Sequence, residues 1–184
     1  MPLTIDARAY DRNAKTSLNV AGMSFTVRDG DITFAAADAV IFVPFTVSRP
    51  FPAQRMSVEN GTTVSGNTRM GLYDTVGALL ASTAATAQSG AAAVQFIALS
   101  SAITLGAGLY FMALSNSGTT GQYGRFRAPS GDQNLSAVGV RGATSGGIVT
   151  SPTIVDVSTS VISIDGYLPN ISVLAFTASQ LVAP

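Results

Sequence analysis

The chain has 184 residues, enough for one domain of ordinary size, and its ten basic and ten acidic residues balance, so only 11% of the chain is charged. A typical soluble domain is about 25% charged, and so sparse a surface favours association with other protein subunits, copies of this chain included. The lack of cysteine and histidine excludes disulfides, thiolate metal sites and Ser-His-Asp or Cys-His catalysis, and the neutral balance argues against nucleic-acid binding.

Residues 1–30 differ from the rest of the chain because they hold much of its charge and few bulky side chains. Two interpretations stay open for this segment, an arm that lies on a neighbouring subunit or a frayed terminus with one ordinary strand. It lacks the basic start, apolar core and cleavage site of a secretion signal, so we expect the protein to remain inside the cell until it assembles. Residues 31–184 make up the predicted folded domain.

Short runs rich in Val, Ile, Phe, Tyr and Thr recur every eight to fifteen residues or so, separated by Gly, Asn, Ser and Pro clusters. This spacing predicts an all-β protein, a sandwich or a barrel. Pro44 predicts an edge position or a bulge, and Asn60-Gly61 predicts a tight turn with positive φ. Residues 84–93, which have little side-chain bulk, are expected to form a loop, with a short weak helix as the alternative. The predicted strands cover residues 23–27, 39–47, 53–58, 68–73, 78–83, 94–99, 108–115, 135–140, 153–157, 161–164 and 171–177.

A long uncharged stretch lies in the middle of the chain, since residues 75–124 contain no Asp, Glu, Lys or Arg. A membrane-spanning helix needs about 20 mostly apolar residues without interruption, and side chains such as Ser82, Gln88 and Gln95 break every run. We therefore expect no membrane span here. Small uncharged residues that alternate with larger apolar ones indicate a subunit interface instead.

Paired carboxylates are the remaining catalytic option in a chain of this composition. The candidates all stand within two residues of Gly, Asn, Ser or Thr, where a carboxylate usually forms a turn by binding its own backbone; they are Glu59, Asp74, Asp132, Asp156 and Asp165. No glycine pattern typical of a phosphate-binding loop occurs either. We therefore predict a protein that is not an enzyme and that uses neither a metal nor a cofactor.

Residues 123–132 are predicted to form a loop that combines aromatic and basic side chains. Tyr123, Arg125, Phe126 and Arg127 are the candidates for partner binding, because Tyr and Arg offer large contact areas with polar groups at interface centres. The alternative left open is a solvent loop whose Phe126 is tucked into the core.

Residues 69–82 (RMGLYDTVGALLAS) and 103–115 (ITLGAGLYFMALS) resemble a pair of strands found in jelly-roll modules of tailed-bacteriophage virion proteins. On this pattern Leu72 and Tyr73 lie on opposite faces of a strand, Asp74 and Gly77 make a turn, and the core between strands is filled by Leu79, Leu80, Leu109 and Phe111. Phe111 replaces a second Tyr of the pattern, and Val76 stands at a turn position that is usually polar.

The resemblance implies an antiparallel β-sandwich of jelly-roll type that is part of a virion. It further implies a capsid decoration or cement protein, assembled in the host cytoplasm, that contacts the major capsid protein or other virion proteins and forms a homo-oligomer, for which a trimer is one candidate. The alternative function is a receptor- or carbohydrate-binding module of a tail tip or fibre, with Tyr123, Phe126 and Tyr167 as sugar platforms.

Overall fold

The structure is a computed structural model that describes residues 17–19, 30–127, 139–156, 161–163 and 167–174. These residues form strands, turns and connecting loops, and no helix occurs among them. The strands are β1 (Ser17–Asn19), β2 (Asp31–Ile32), β3 (Val40–Val47), β4 (Phe51–Glu59), β5 (Asn67–Tyr73), β6 (Leu79–Ser82), β7 (Thr86–Ala87), β8 (Val94–Leu105), β9 (Gly108–Asn116), β10 (Tyr123–Arg127), β11 (Arg141–Ala143), β12 (Val155–Asp156), β13 (Tyr167–Pro169) and β14 (Ile171–Leu174).

The strands assemble into three antiparallel sheets. The large sheet has the order β12-β11-β3-β9-β5-β6, with β7 also paired to β5, and the small sheet has the order β1-β14-β4-β8. A third sheet has the order β13-β10-β2. One hydrophobic core joins the large and small sheets, with Phe45, Leu72 and Leu114 contributed by the former and Met56 and Val173 by the latter. The predicted all-β sandwich is therefore confirmed.

Two pairs of consecutive strands cross from one sheet to the other at the same end of the sandwich. In the large sheet, β3 and β9 pair from Val40↔Ser115 to Val47↔Gly108. Residues 48–50 then lead from β3 to β4, residues 106–107 join β8 to β9, and β4 pairs with β8 in the small sheet from Phe51↔Leu105 onward. The two connections together form what we call the crossover end. The jelly-roll type itself stays a prediction.

Alternation along β9 directs its side chains to opposite faces of the large sheet. Met112 and Leu114 are fully buried between the sheets, whereas Leu109 is 41% exposed on the outer face and Phe111 is partly buried there. Leu79 is also partly buried, and Leu80 is 39% exposed. The prediction that Leu80 and Leu109 fill the core is therefore wrong. On β9 the inward positions are taken by Met112 and Leu114, and on β6 the register shift beside Leu80 leaves Ala81 as the buried residue.

A second, smaller hydrophobic cluster lies on the outer face of the large sheet. Phe42 and Tyr73 meet there with their rings at 81° and their centroids 5.2 Å apart, and Ile148 covers them from the loop that follows β11. The loop comes close because Gly71 has no side chain, since a Cβ at this position would lie 2.9 Å from Cγ2 of Ile148. Leu72, by contrast, faces the main core, so the predicted opposite facing of Leu72 and Tyr73 is confirmed.

Pro44 lies in β3 at a point where the described residues give the strand one neighbour. It pairs with Phe111 of β9, while β11 on the other side of β3 pairs only with Val40, Ile41 and Phe42. Proline has no N–H to donate to a ladder. Among the described strands the missing donor therefore costs no pairing, in keeping with the predicted edge position or bulge.

Two sequence predictions about turns and loops need correction. Asn60 and Gly61 do not adopt positive φ; Asn60 is instead buried and bridges to Tyr123 at the end of β4. Residues 123–127 of the predicted loop are strand β10, which pairs with β13 and β2. Both errors have one cause, which is that β10 supplies pairing partners from a distant part of the sequence.

The predicted arm of residues 1–30 is described only at β1 and at Gly30. Strand β1 pairs with β14 through Ser17↔Leu174, Leu18↔Val173 and Asn19↔Ser172. The rest of the segment, including the predicted strand over residues 23–27, lies outside the described residues, as does most of the predicted strand over residues 135–140.

Candidate interaction surface

Tyr123 is a core residue. Its ring is 1% exposed and meets Phe34 edge to face with centroids 5.9 Å apart. The hydroxyl shares a hydrogen bond of 2.7 Å with the Thr68 hydroxyl and accepts one of 2.7 Å from the side-chain amide of Asn116. Burial raises the pKa of Tyr123 above its ordinary value, and the bonds to Thr68 and Asn116 act in the opposite direction. The prediction that the Tyr123 ring is available to a partner is therefore wrong.

The other three predicted contact residues continue along β10. The Arg125 amide donates a 3.1 Å hydrogen bond to the Gly30 carbonyl, and its partly buried side chain packs against Gly30. Phe126 and Arg127 pair in register with Leu168 and Tyr167 of β13. The side chains of Phe126, Arg127 and Tyr167 lie outside the described residues, so their role in partner binding stays a prediction.

Exposed and partly buried apolar side chains lie on the outer face of the large sheet and its adjoining loops near the crossover end, and we call this group the outer patch. It is formed by Val76, Leu79, Leu109, Phe111, Val149 and Ile154. Tyr73 links three of its members, because it pairs with both Phe111 and Leu79 and its hydroxyl donates a 2.7 Å hydrogen bond to the Val149 carbonyl. Ile154 lies beside Gly77, in the turn that carries Val76. Such a group is typical of a surface that meets another protein.

Val76 is the most exposed member of the outer patch, at 86%, and a well-formed turn holds it in place. One carboxylate oxygen of Asp74 accepts hydrogen bonds from the amides of Val76, at 3.0 Å, and Ala78, at 2.8 Å. Gly77 follows with φ of +84°, a conformation that glycine adopts without strain. The predicted Asp74 and Gly77 turn is thus confirmed. A fixed backbone reduces the entropy that Val76 would lose on binding.

The outer face of the small sheet is more polar. Phe96, at 41% exposure, stands in one row with Ser57 and Ser172, and Val94, at 51%, stands opposite Glu59. The Asn170 side chain donates a 3.0 Å hydrogen bond to the Glu59 carboxylate. This face therefore mixes single exposed apolar side chains with polar ones, unlike the outer patch.

A buried amide network fixes the loops at the end opposite the crossovers. Gln88 donates to Asn60 Oδ1 at 3.1 Å and to the Gln122 carbonyl at 2.6 Å, and its Oε1 accepts from the Ser65 amide at 2.9 Å. Asn116 joins the same loops by donating to the Ser65 carbonyl at 3.0 Å. These hydrogen bonds give the buried side-chain amides the partners they need. They also hold together the loops that contain Ser65, Gln88 and Gln122.

The carboxylates considered as catalytic candidates serve structural roles where they are described. Asp74 binds the backbone of its own turn, and Glu59 accepts a hydrogen bond from Asn170. Across the described parts of the chain, no three or more acidic residues stand close enough together to hold a metal ion. Within the same residues, no helix has the length and apolar character needed to cross a membrane.

Comparison with known proteins gives no relative from which a role could be transferred. No family model matches the chain, no curated protein is detectably similar in sequence, and no solved structure is detectably similar in fold. The resemblance of residues 69–82 and 103–115 to phage virion modules therefore stays a prediction.

Proposed function

We propose that this protein is a structural component of a tailed-bacteriophage virion, a capsid decoration protein that stabilises the shell through contacts between subunits. One observation carries the proposal. The uncharged residues 75–124 supply β6, β8 and β9, and these strands and the turn before β6 present large apolar side chains to solvent. An isolated soluble domain gains nothing from such a surface, whereas a subunit that is buried in an assembly does.

The surface chemistry supports a static contact with protein. Charged residues are depleted at the centres of interfaces, and residues 75–124, which supply four of the six members of the outer patch, contain none. Val76 stands on a fixed turn, as expected of an anchor that enters a partner without reordering. The resemblance of residues 69–82 and 103–115 to virion modules agrees with this role, and it is the reason for choosing a phage particle over other assemblies.

The number of copies per particle tests the proposal. The ratio of this chain to the major capsid protein would be measured by quantitative mass spectrometry of purified virions, with the portal protein as an internal reference of low copy number. We expect a ratio near one or a simple fraction of it. Absence of the chain from washed particles would overturn the proposal, and a few copies per particle would move the protein from the shell to the tail.

A receptor-binding role in the tail is the second candidate. It loses one of its three predicted sugar platforms, because Tyr123 is buried. Phe126 and Tyr167 still stand on paired strands in adjacent register positions, since Phe126 is opposite Leu168 and Arg127 is opposite Tyr167. Glycan-array binding that is abolished by Phe126→Ala would favour this candidate over the capsid role.

A further inference from the structure

A hydroxyl, a carboxylate and a carboxamide converge where the loop after β4 meets the residue before β10. Thr62 Oγ1 lies 2.7 Å from Asp31 Oδ2 and 2.9 Å from Gln122 Oε1. We propose that Thr62 and Gln122 become joined here by an intramolecular ester bond, which the protein forms on itself with Asp31 as the base. This inference goes beyond the proposed function, because it concerns a covalent bond within one chain and needs no partner.

The Thr62 hydroxyl has one proton for two acceptors. A hydrogen bond to a carboxylate is about twice as strong as one between neutral groups, and the contact with Asp31 is the shorter of the two. The proton therefore points to Asp31, and a lone pair of Thr62 Oγ1 faces the Gln122 carboxamide. This is the arrangement of a nucleophile beside its general base.

The Gln122 carboxamide is oriented and polarised for attack. Its Oε1 accepts a 3.0 Å hydrogen bond from the Thr63 amide, and such a donor stabilises the negative charge that develops on this oxygen during attack. Since a carbonyl carbon lies about 1.23 Å from its oxygen, the 2.9 Å contact puts Gln122 Cδ within about 4.1 Å of Thr62 Oγ1. A small movement of the side chains therefore brings the two atoms together.

The backbone holds the reacting groups in place. The Gly61 amide donates to the Gln122 carbonyl at 2.7 Å, and the Gln122 amide donates to the Thr63 carbonyl at 2.8 Å. Gly61 also lets the side chains converge, because a Cβ at this position would clash with Gln122 Cβ and lie 2.9 Å from Asp31 Cγ. Well-oriented intramolecular reactions reach effective molarities of about 10⁵–10⁸ M, which is the advantage that a hydroxyl needs to attack an unreactive amide.

The reaction needs no further reactant. Asp31 takes the proton from Thr62 Oγ1 as this oxygen attacks Gln122 Cδ, and a C–O bond forms. The same proton then passes from Asp31 to the side-chain nitrogen of Gln122, the C–N bond breaks, and ammonia leaves. Because the ammonia is diluted into solvent, its release favours the ester. The product joins the loop after β4 covalently to the segment before β10.

The mass of the purified full chain tests the bond. We expect most chains to be lighter than the sequence mass by one molecule of ammonia. Trypsin cuts after Arg69, between the two residues, so an ester would keep the peptides 56–69 and 70–125 joined. Hydroxylamine cleaves esters and should release these peptides from each other. Separate peptides and the full sequence mass in the untreated protein would overturn the proposal.

Three variants test the role of each side chain. Thr62→Val removes the nucleophile and Asp31→Asn removes the base, so both should keep the full mass, whereas Thr63→Val retains its backbone donor and should lose ammonia as the parent chain does. Succinimide formation at Asn60-Gly61 also releases ammonia, so loss of ammonia from Thr62→Val would overturn the ester. An unchanged loss in Asp31→Asn would overturn the role of Asp31. The mass of the parent chain decides the question even if a variant does not fold.

Discussion

The hydroxyl oxygen of Tyr123 lies 2.7 Å from the side-chain amide nitrogen of Asn116, and this contact joins the start of β10 to the end of β9 inside the protein. Asn116 is itself fully buried and also binds the Ser65 carbonyl. Tyr123, which the sequence suggested as a partner-binding residue, thus holds together two segments of its own chain. Removal of its hydroxyl group should therefore lower the stability of the fold.

We expect Tyr123→Phe to lower the free energy of unfolding by about 1–3 kcal/mol, because the buried groups of Asn116 and Thr68 lose a partner. Urea denaturation followed by circular dichroism measures the change. Tyr110→Phe is a matched control, since the Tyr110 hydroxyl binds the exposed Gly106 carbonyl at 3.2 Å and should matter by less than about 0.5 kcal/mol. Equal effects of the two variants would contradict the role given to Tyr123.

The close approach at Gly71 predicts coupling to Ile148. Gly71→Ala places a methyl group 2.9 Å from Cγ2 of Ile148 and should cost about 1–3 kcal/mol, while Ile148→Ala should cost about 2–5 kcal/mol. In the double variant the added methyl occupies space that Ile148 vacates, so the combined loss should be smaller than the sum of the single losses. Additive losses in urea denaturation would show that the loop does not rest on Gly71.

Gln88 carries three hydrogen bonds that tie together the loops opposite the crossover end. Gln88→Ala leaves Asn60 Oδ1, the Ser65 amide and the Gln122 carbonyl without these partners, so we expect a loss of about 2–4 kcal/mol. Amide hydrogen exchange should rise at residues 61–66 while β3 and β9 keep their protection. Uniform loss of protection across the sandwich would mean that the network supports the whole core and not the loops.

Alkaline pH should destabilise the protein through Tyr73. Burial raises its pKa from 10.0 to about 12, although the hydrogen bond to Val149 and the charge of Arg69 act in the opposite direction. Between pH 10 and about 12 the unfolded chain therefore loses this proton first, so the free energy of unfolding falls as pH rises, and the contribution is complete below pH 10. Tyr73→Phe should show a shallower decline in urea denaturation across this window; an unchanged slope would contradict the assignment.

The outer patch predicts a separation between stability and assembly. Val76→Ser changes an exposed side chain and should alter the free energy of unfolding by less than about 0.5 kcal/mol. On the proposed function, the same variant should bind less tightly to purified virions from which this chain has been removed. Val94→Ser is the matched control, because Val94 is 51% exposed on the small sheet. Equal binding by both variants in co-sedimentation would exclude the outer patch as the contact, and selective loss with Val94→Ser would place the contact on the other sheet.

The sequence predicted the strands whose own residues favour β structure, and it missed those that depend on distant partners. The strands β3, β5 and β9 were predicted within one residue of their observed bounds; β3 and β9 are rich in apolar residues, and β5 alternates apolar Met70 and Leu72 with other side chains. Strand β11 contains only Arg141, Gly142 and Ala143, and it exists because β3 and β12 pair with it. Local propensity carries no signal for such a strand.

At several positions the sequence could not predict on which face of a sheet a side chain lies. Along β9, Leu109 and Phe111 are as apolar as Met112 and Leu114, so a period of two does not reveal which parity points inward. The small sheet covers Met112 and Leu114, and Ile148, from the loop that follows β11, belongs to the cluster on which Phe111 packs on the outer face. Likewise, no local feature placed Tyr123 beside Thr68 and Asn116.

The crossover pairing also determines when the protein can fold during synthesis. Strand β3 leaves the ribosome long before its partner β9, and β4 must wait for both β8 and β14. Contacts between such distant segments form slowly, and the apolar strand stays exposed in the meantime. We therefore expect the sandwich to close only once β14 has been synthesised, with Val40–Val47 as an apolar segment that stays exposed until β9 is available.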